Sequence, residues 1–207
     1  MEEKIIEDPI TGLKIKTYHN GDKYEGQFIN GKRQGKGKYI YKNGDIYEGD
    51  FNQGLKEGKG KYIYYNGNIY EGDWKNDKKE GKGTYIYLTQ NDYYKNLEQN
   101  DYKKICNIYK GDFVEGKFEG NGVVTFSNGD SYEGEFHEDK KEGYGTYYFS
   151  DGKKYKGYFS QDNFEGEGTM IYKDNSKMTG IYKNSLPIGT HIKTYPDKES
   201  EEIKFTE

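Results

Sequence analysis

Aromatic and glycine residues return every 23 positions along this chain. Tyr24, Tyr47 and Tyr70 stand 23 apart, and Tyr109, Tyr132 and Tyr155 resume the interval. The first copy reads Tyr24, Gly26, Phe28, Gly31, Gly35, Gly37, Tyr41, Gly44, and the second Tyr47, Gly49, Phe51, Gly54, Gly58, Gly60, Tyr64, Gly67. A fixed period of this length specifies stacked supersecondary units, each touching its neighbours, rather than one closed core. The question becomes what a long regular surface holds.

Composition fits that reading. Of 207 residues, 29 are Gly and 24 Tyr, while 33% are charged and mean hydropathy is -1.23. Such polarity alone would favour disorder, but the periodic rings give each unit something to bury.

Charge excludes several functions. The net charge of -4 and the single arginine, Arg33, argue against a nucleic-acid binder, which draws on excess positive charge and on bidentate guanidinium contacts. One cysteine, Cys106, permits neither an internal disulfide nor a cysteine-rich metal site, and no metal or cofactor is expected. No apolar run has the length of a membrane span or a signal segment, so an intracellular protein is expected.

The repeat divides the chain. Residues 1–23 hold a half copy (Gly12, Tyr18, Gly21), 24–87 three copies, 88–108 an insertion, and 109–177 three more copies. Residues 178–198 form a degenerate copy with Ser185 and His191 in place of glycines, and 199–207 an acidic tail expected to fray. The segment Gly12–Tyr18 resembles Gly189–Tyr195, as expected of two caps facing water. Within the insertion, Tyr93 to Ile105 is a candidate short helix with Leu97 and Ile105 as its apolar residues.

Each copy reads as a β-hairpin. Asn20-Gly21, Asn43-Gly44, Asn66-Gly67, Asn128-Gly129 and Asp151-Gly152 recur at one step and suit type I′ turns. The flanking runs, such as Lys38–Tyr41 and Thr146–Phe149, are rich in strand-favouring residues. The other connection, Asn30 to Lys36, reads as longer. Strand alternation puts Tyr24, Gly26, Phe28, Gly37, Tyr39 and Tyr41 on one face, and Glu25, Gln27, Lys38, Ile40 and Lys42 on the other. Mid-strand glycines, costly by roughly 0.5–1 kcal/mol, make room for a ring to lie over the backbone. The expected fold is all-β: an elongated single-layer antiparallel meander of stacked 23-residue hairpins, roughly 60–75 Å long at about 4.8 Å per strand.

The pattern Tyr-x-Gly-x-Phe/Trp followed by spaced glycines resembles the MORN repeat. Tyr47–Phe51 and Tyr70–Trp74 carry it, with Glu57–Gly60 and Glu80–Gly83, and the likeness spans about residues 12–195. Asp77, Asp139, Asp162, Asn175, Ser185 and His191 depart from it. The resemblance implies extended sheets of hairpins that serve as binding and assembly surfaces in radial-spoke heads, cytoskeletal scaffolds and membrane junctions, and as appendages on enzymes. A stand-alone array is most similar to the scaffold members. A non-catalytic subunit of a cytoskeletal assembly, the ciliary axoneme foremost, is therefore expected.

Two surfaces are candidates for that role. The first is the aromatic face: Tyr24, Phe28, Tyr41, Tyr47, Phe51, Tyr64, Tyr70, Trp74, Tyr109, Phe113, Tyr132 and Phe136. These rings would contact protein partners, or else pack only against each other. The second is a basic edge of Lys32, Arg33, Lys36, Lys56, Lys59, Lys78, Lys79 and Lys82. It would engage acidic phospholipid headgroups, or else guard the sheet against aggregation. Residues 24–87 carry 12 basic and 9 acidic side chains, whereas 132–177 carry 7 and 10. Catalysis is not expected. His19, His137 and His191 fall in different copies, and the Gly-Lys loops lack the spacing of a phosphate cradle. Self-association through exposed strand edges is the remaining expectation.

Overall fold

The computed structural model describes residues 4–7, 13–88 and 106–206. Among these, all regular structure is β-strand, in one antiparallel sheet of 17 strands. The candidate helix from Tyr93 to Ile105 lies outside the described residues except for its surroundings, Leu88 and Cys106, and so does Gly12.

Two compact units divide the chain, the first taking residues up to 100 with Phe113–Gly116, the second taking the remainder. The amino-terminal unit contains β1 (Lys4–Glu7), β2 (Lys14–Thr17), β3 (Lys23–Ile29), β4 (Lys32–Ile40), β5 (Ile46–Asn52), β6 (Leu55–Ile63), β7 (Ile69–Lys75) and β8 (Lys78–Tyr87). The carboxy-terminal unit contains most of β9 (Asn107–Val114), then β10 (Lys117–Thr125), β11 (Ser131–His137), β12 (Lys140–Tyr148), β13 (Lys154–Ser160), β14 (Asn163–Ile171), β15 (Lys177–Lys183), β16 (Leu186–Thr194) and β17 (Glu201–Phe205). Within each unit every strand pairs with its sequence neighbour.

The turns exchange the roles expected of them. The two-residue connections sit at Asn30-Gly31, Gln53-Gly54, Asn76-Asp77 and their equivalents, where both residues have positive φ. That is the type I′ geometry, which matches strand twist. At Asn43-Gly44 only the glycine has positive φ, and its N–H bonds the Tyr41 carbonyl at 3.0 Å. The Asn-Gly sites are therefore three-residue loops closed by a left-handed glycine. What looked like a long connection is strand.

The second strand of each hairpin is longer than the first. Gly49 pairs with Gly60 while Phe51 pairs with Lys56, so two extra residues bulge out around Gly58. Gly58 takes φ 71°, a region that side-chain-bearing residues rarely enter. An insertion of two residues preserves the alternation of faces.

The tail does not fray. Glu201–Phe205 forms β17, paired with β16 from Gly189↔Phe205 to Lys193↔Glu201. Phe205 anchors this strand, packing edge-on to His191 with ring centroids 5.0 Å apart.

Candidate functional site

The face that carries the repeat tyrosine, here the front, holds two aromatic rows. In the inner row, Tyr24, Tyr47, Tyr70, Tyr109, Tyr132 and Tyr155 are fully buried. Each hydroxyl donates to the backbone carbonyl three residues on, as Tyr47 does to Asp50 at 2.9 Å and Tyr70 to Asp73 at 2.8 Å. The ring lies over two paired glycines: a Cβ at Gly49 would stand 2.5 Å from the Tyr47 oxygen, and one at Gly145 would stand 2.5 Å from the Tyr132 ring. Phe51, Trp74, Phe136 and Phe159 then wedge edge-on between successive tyrosines, and Phe113 stands edge-on to Tyr70. Phe51 stands 5.1 Å from both Tyr24 and Tyr47, and Phe159 stands 4.7 Å from Tyr132 and 5.4 Å from Tyr155. Edge-to-face pairs at such distances contribute about 0.5–1.5 kcal/mol each beyond their burial.

The outer row follows the loop edge of the sheet. Tyr18, Tyr39, Tyr41, Tyr62, Tyr64, Tyr85 and Tyr87 touch in sequence at centroid distances from 4.5 to 5.8 Å. Its inner members Tyr39 and Tyr62 are buried, whereas Tyr41 and Tyr64 are half-buried. Asp22 accepts the Tyr39 hydroxyl and the Lys42 N–H at 2.7 and 2.8 Å, and Asp45 accepts the Tyr62 hydroxyl and the Tyr65 N–H, both at 2.7 Å. Burial works against charge on these carboxylates, but the donated bonds outweigh it and hold both below the usual carboxylate range. Burial likewise pushes the Tyr41 phenol up to about 12, so it stays neutral, and its oxygen accepts from Lys56 Nζ at 3.2 Å.

Three cations stand over this floor. The Arg33 guanidinium lies 4.7 Å from the Tyr39 ring, Lys56 Nζ 5.1 Å from Tyr62 and 4.6 Å from the inner Trp74, and Lys79 Nζ 4.8 Å from Tyr85. Burial pulls the Lys56 ammonium below its ordinary value. At the same step the carboxy-terminal unit places Phe118 and Phe164, stacked flat on Tyr109 and Tyr155 at 3.7 and 3.8 Å, with Lys141 between them in sequence.

Of the twelve rings expected to face a partner, nine are buried: Tyr24, Tyr47, Phe51, Tyr70, Trp74, Tyr109, Phe113, Tyr132 and Phe136. They hold the hairpins together. Phe28, Tyr41 and Tyr64 remain half-buried and open to contact. The eight basic residues do not share one edge. Arg33, Lys56 and Lys79 turn onto the front face, while Lys32, Lys36, Lys59, Lys78 and Lys82 are exposed elsewhere. Lys36 pairs with Asp50 at 2.7 Å, Lys59 with Asp73 at 2.5 Å, and Lys78 with Glu115. Carrying the alternation through Asn30–Lys36 as strand would have found this split.

Two further devices escaped sequence reasoning. Asp77, Asp139 and Asp162, which replace a turn glycine, accept the N–H of Lys56, Phe118 and Lys141 in the preceding copy, at 2.8, 2.8 and 3.0 Å. That bond offsets the strain of positive φ. In the seventh copy, Met178 replaces the tyrosine and His191 the second glycine. The His191 ring occupies the vacated slot, edge-on to Tyr182 at 5.1 Å, with neither nitrogen hydrogen-bonded. The signal was two exceptions falling in one copy, at positions that touch in every other.

The MORN repeat pattern matches residues 24–46, 47–69, 70–90, 109–131, 132–154 and 155–177. Among solved structures, the chain is similar to the TCP10 domain of Danio rerio CPAP in complex with a peptide of Danio rerio STIL. The TM-score is 0.56 at 14% identity, over 98% of this chain and 84% of that one. The same domain without the peptide matches with TM-score 0.56 at 9% identity, over 98% and 89%. A CPAP G-box domain structure, described as suggesting a role in centriole elongation, matches with TM-score 0.43 at 14% identity, over 99% and 100%. No curated protein matches the sequence.

Proposed function

We propose that this chain, which belongs to the MORN repeat family, is a binding scaffold that receives a peptide segment of another protein along the front of its amino-terminal unit. One observation carries the reading: a continuous outer row of tyrosines, half-buried at Tyr41 and Tyr64, runs beneath the cations Arg33, Lys56 and Lys79. A single-layer sheet has one face without a core. Rings with polar tips beside cations suit a segment that brings both apolar side chains and carboxylates. The CPAP domain of similar fold is itself in complex with a peptide, which supports the reading by analogy of fold alone.

The finer placement is a cytoskeletal assembly, the ciliary axoneme foremost, and it rests on the likeness to the scaffold members of the family. Imaging a tagged copy in its own cell tests it: an axonemal or basal signal supports the placement, and a diffuse or cortical one removes it. An acidic membrane is the weaker partner, because Lys36, Lys59 and Lys78 already pair with carboxylates.

The site is tested by a Tyr41→Ala/Tyr64→Ala variant and by Lys56→Glu, in pull-downs from native extract with vesicle flotation alongside. Loss of the same partner in both variants, with unchanged circular dichroism, is the expected result. Undiminished recovery in folded variants would move the site off this face.

A further inference from the structure

Strand β17 keeps the place of a repeat strand but lacks what such a strand uses to hold the next one. Counting 23 on from β15, Glu201 stands at the step of Met178, Ile203 at that of Gly180 and Phe205 at that of Tyr182. Phe205 still packs edge-on to His191, as Tyr182 does. In the six full copies the residue at the Glu201 step is the buried tyrosine. The residue at the Ile203 step is a glycine, paired with a glycine of the following strand, as Gly49 is with Gly60 and Gly157 with Gly168. Glu201 supplies no ring and Ile203 fills the slot, so a following strand of the repeat type has nothing to lie under. Among the described residues β17 pairs along one side, with β16, and Glu201, Glu202 and Lys204 are exposed.

Alternation fixes which groups of β17 point outward. Between β14 and β15 the Tyr172 N–H donates to the Ser176 carbonyl at 2.9 Å, so Met170↔Met178 and Gly168↔Gly180 are hydrogen-bonded pairs. Lys193↔Glu201 and His191↔Ile203 are the same pairs 23 residues on. Glu201, Ile203 and Phe205 therefore direct their backbone groups to β16 and their side chains to the front. Glu202 and Lys204 direct N–H and C=O away from β16 and their side chains to the opposite face, here the back.

We infer that β17 pairs antiparallel with β17 of a second copy of the chain, Ile203 opposite Ile203, about a two-fold axis normal to the sheet. Such an axis reverses the strand and keeps front beside front, so residues oppose only residues of their own face. With Ile203 at the axis, Glu202 of each copy faces Lys204 of the other. These are also the residues whose outward N–H and C=O groups meet as bonded pairs. A slide of two residues one way sets Glu202 against Glu202, and the other way Lys204 against Lys204; a slide of one sets front against back. Opposite charges across strands are what the back of the amino-terminal unit already uses: Glu25↔Lys38 and Glu48↔Lys61 are register pairs, and Lys36 with Asp50 is both a register pair and an ion pair. Charges on an edge strand ordinarily repel a second strand. In β17 the two signs flank an apolar centre, so self-pairing brings opposites together, and Ile203 meets Ile203 in the closer, non-bonded kind of pair.

Sedimentation equilibrium on the full chain at neutral pH tests this. The wild type is expected to dimerise with a dissociation constant on the order of 100 μM, as a contact of one strand pair implies. Lys204→Glu and Glu202→Lys each set like charges opposite one another and should weaken the dimer at least roughly tenfold. An equimolar mixture of the two should restore it as a heterodimer, and Glu202→Lys/Lys204→Glu in one chain should dimerise as the wild type does. Circular dichroism and melting confirm that each variant is folded. A wild type that stays monomeric up to about 1 mM overturns the inference. Single variants that dimerise undiminished place the contact on another surface, and a monomeric mixture or double variant rejects the pairing of Glu202 with Lys204. The Tyr41→Ala/Tyr64→Ala variant, altered in the amino-terminal unit alone, keeps the dimer, so failure here and failure of the front-face reading are separable.

Discussion

The amino- and carboxy-terminal units share one framework and fill its open positions differently. Both stack a tyrosine over paired glycines, and both alternate tyrosine with an edge-on ring. Nine residues after the tyrosine, the first unit places Arg33, Lys56 and Lys79 over the rings, whereas the second seals two of three such places with Phe118 and Phe164. On the back the first unit is ionic, the second partly aromatic. Positions tied to the ring and glycine contact are fixed by sterics. Positions around it vary because either a cation or a ring satisfies a tyrosine face. The two units thus keep one scaffold while offering different surfaces.

The largest effect should come from forcing the framework of the first unit to imitate the end of the second. Gly60 lies under the Tyr47 ring, where any Cβ collides. Gly60→His should destabilise the amino-terminal unit by more than about 4 kcal/mol, the range reserved for steric disruption of a core. Adding Tyr47→Met empties the slot, reproducing the Met178 and His191 arrangement, and should recover most of the loss. Hydrogen exchange resolved by unit reads both variants. An equally damaged double variant would mean that the slot is not what Met178 and His191 share.

Next comes the position over the ring. Phe118→Ala removes a buried ring stacked at 3.7 Å and should cost about 3–5 kcal/mol. Lys56→Ala removes a half-buried cation and should cost about 1–2 kcal/mol. Equal losses in denaturant titrations would erase the distinction between a sealed and an open front.

Much of this was legible beforehand, and the reasons are specific. The period named the unit, and the recurrence of costly mid-strand glycines gave away the ring lying on Gly26 and Gly37, because nothing else makes such residues worth keeping. The turn types were misplaced because Asn-Gly is the strongest short hairpin signal, whereas Gln53-Gly54 and Glu138-Asp139 carry little, although both adopt positive φ. The site was only half legible. Alternation tells which face a ring takes, but not whether a neighbouring ring covers it. Thus Tyr47 and Tyr64 look alike in the sequence and differ in burial. The pairing of Tyr144 with Tyr158 needed the register.

Acid should separate the units in order. His191 is buried without a partner, and burial depresses its pKa. A depressed histidine favours the neutral form in the fold. Its contribution is complete above the unfolded value of about 6.5 and lost as pH falls below it, because the unfolded chain then binds the extra proton. His137, exposed beside Glu119, is shifted upward and acts oppositely, but solvent screens it. Asp22 and Asp45 in the first unit and Asp130 in the second are depressed carboxylates. Their contribution is present above about 3.9 and lost as pH falls through the folded value. Exchange near β15–β17 should therefore rise between about pH 6.5 and 5, where the amino-terminal unit stays protected. His191→Phe should abolish that early phase. An early phase that survives the substitution would assign it to another group.

The smallest effect concerns the back face. Lys38 and Glu48 form an exposed ion pair at 2.6 Å, while the equivalent register pair in the second unit is Thr146 with Lys156. Exposed pairs are screened and entropically opposed, so Glu48→Gln should cost only about 0.2–1 kcal/mol and less at high salt. Thr146→Glu should create a comparable pair with Lys156 and stabilise the second unit by a similar small amount at low salt. Both are measurable by melting at two ionic strengths. If Glu48→Gln costs several times more than this and salt leaves the cost unchanged, the charged checkerboard of the first unit is part of its core energetics. The back faces of the two units would then differ in stability as well as in chemistry.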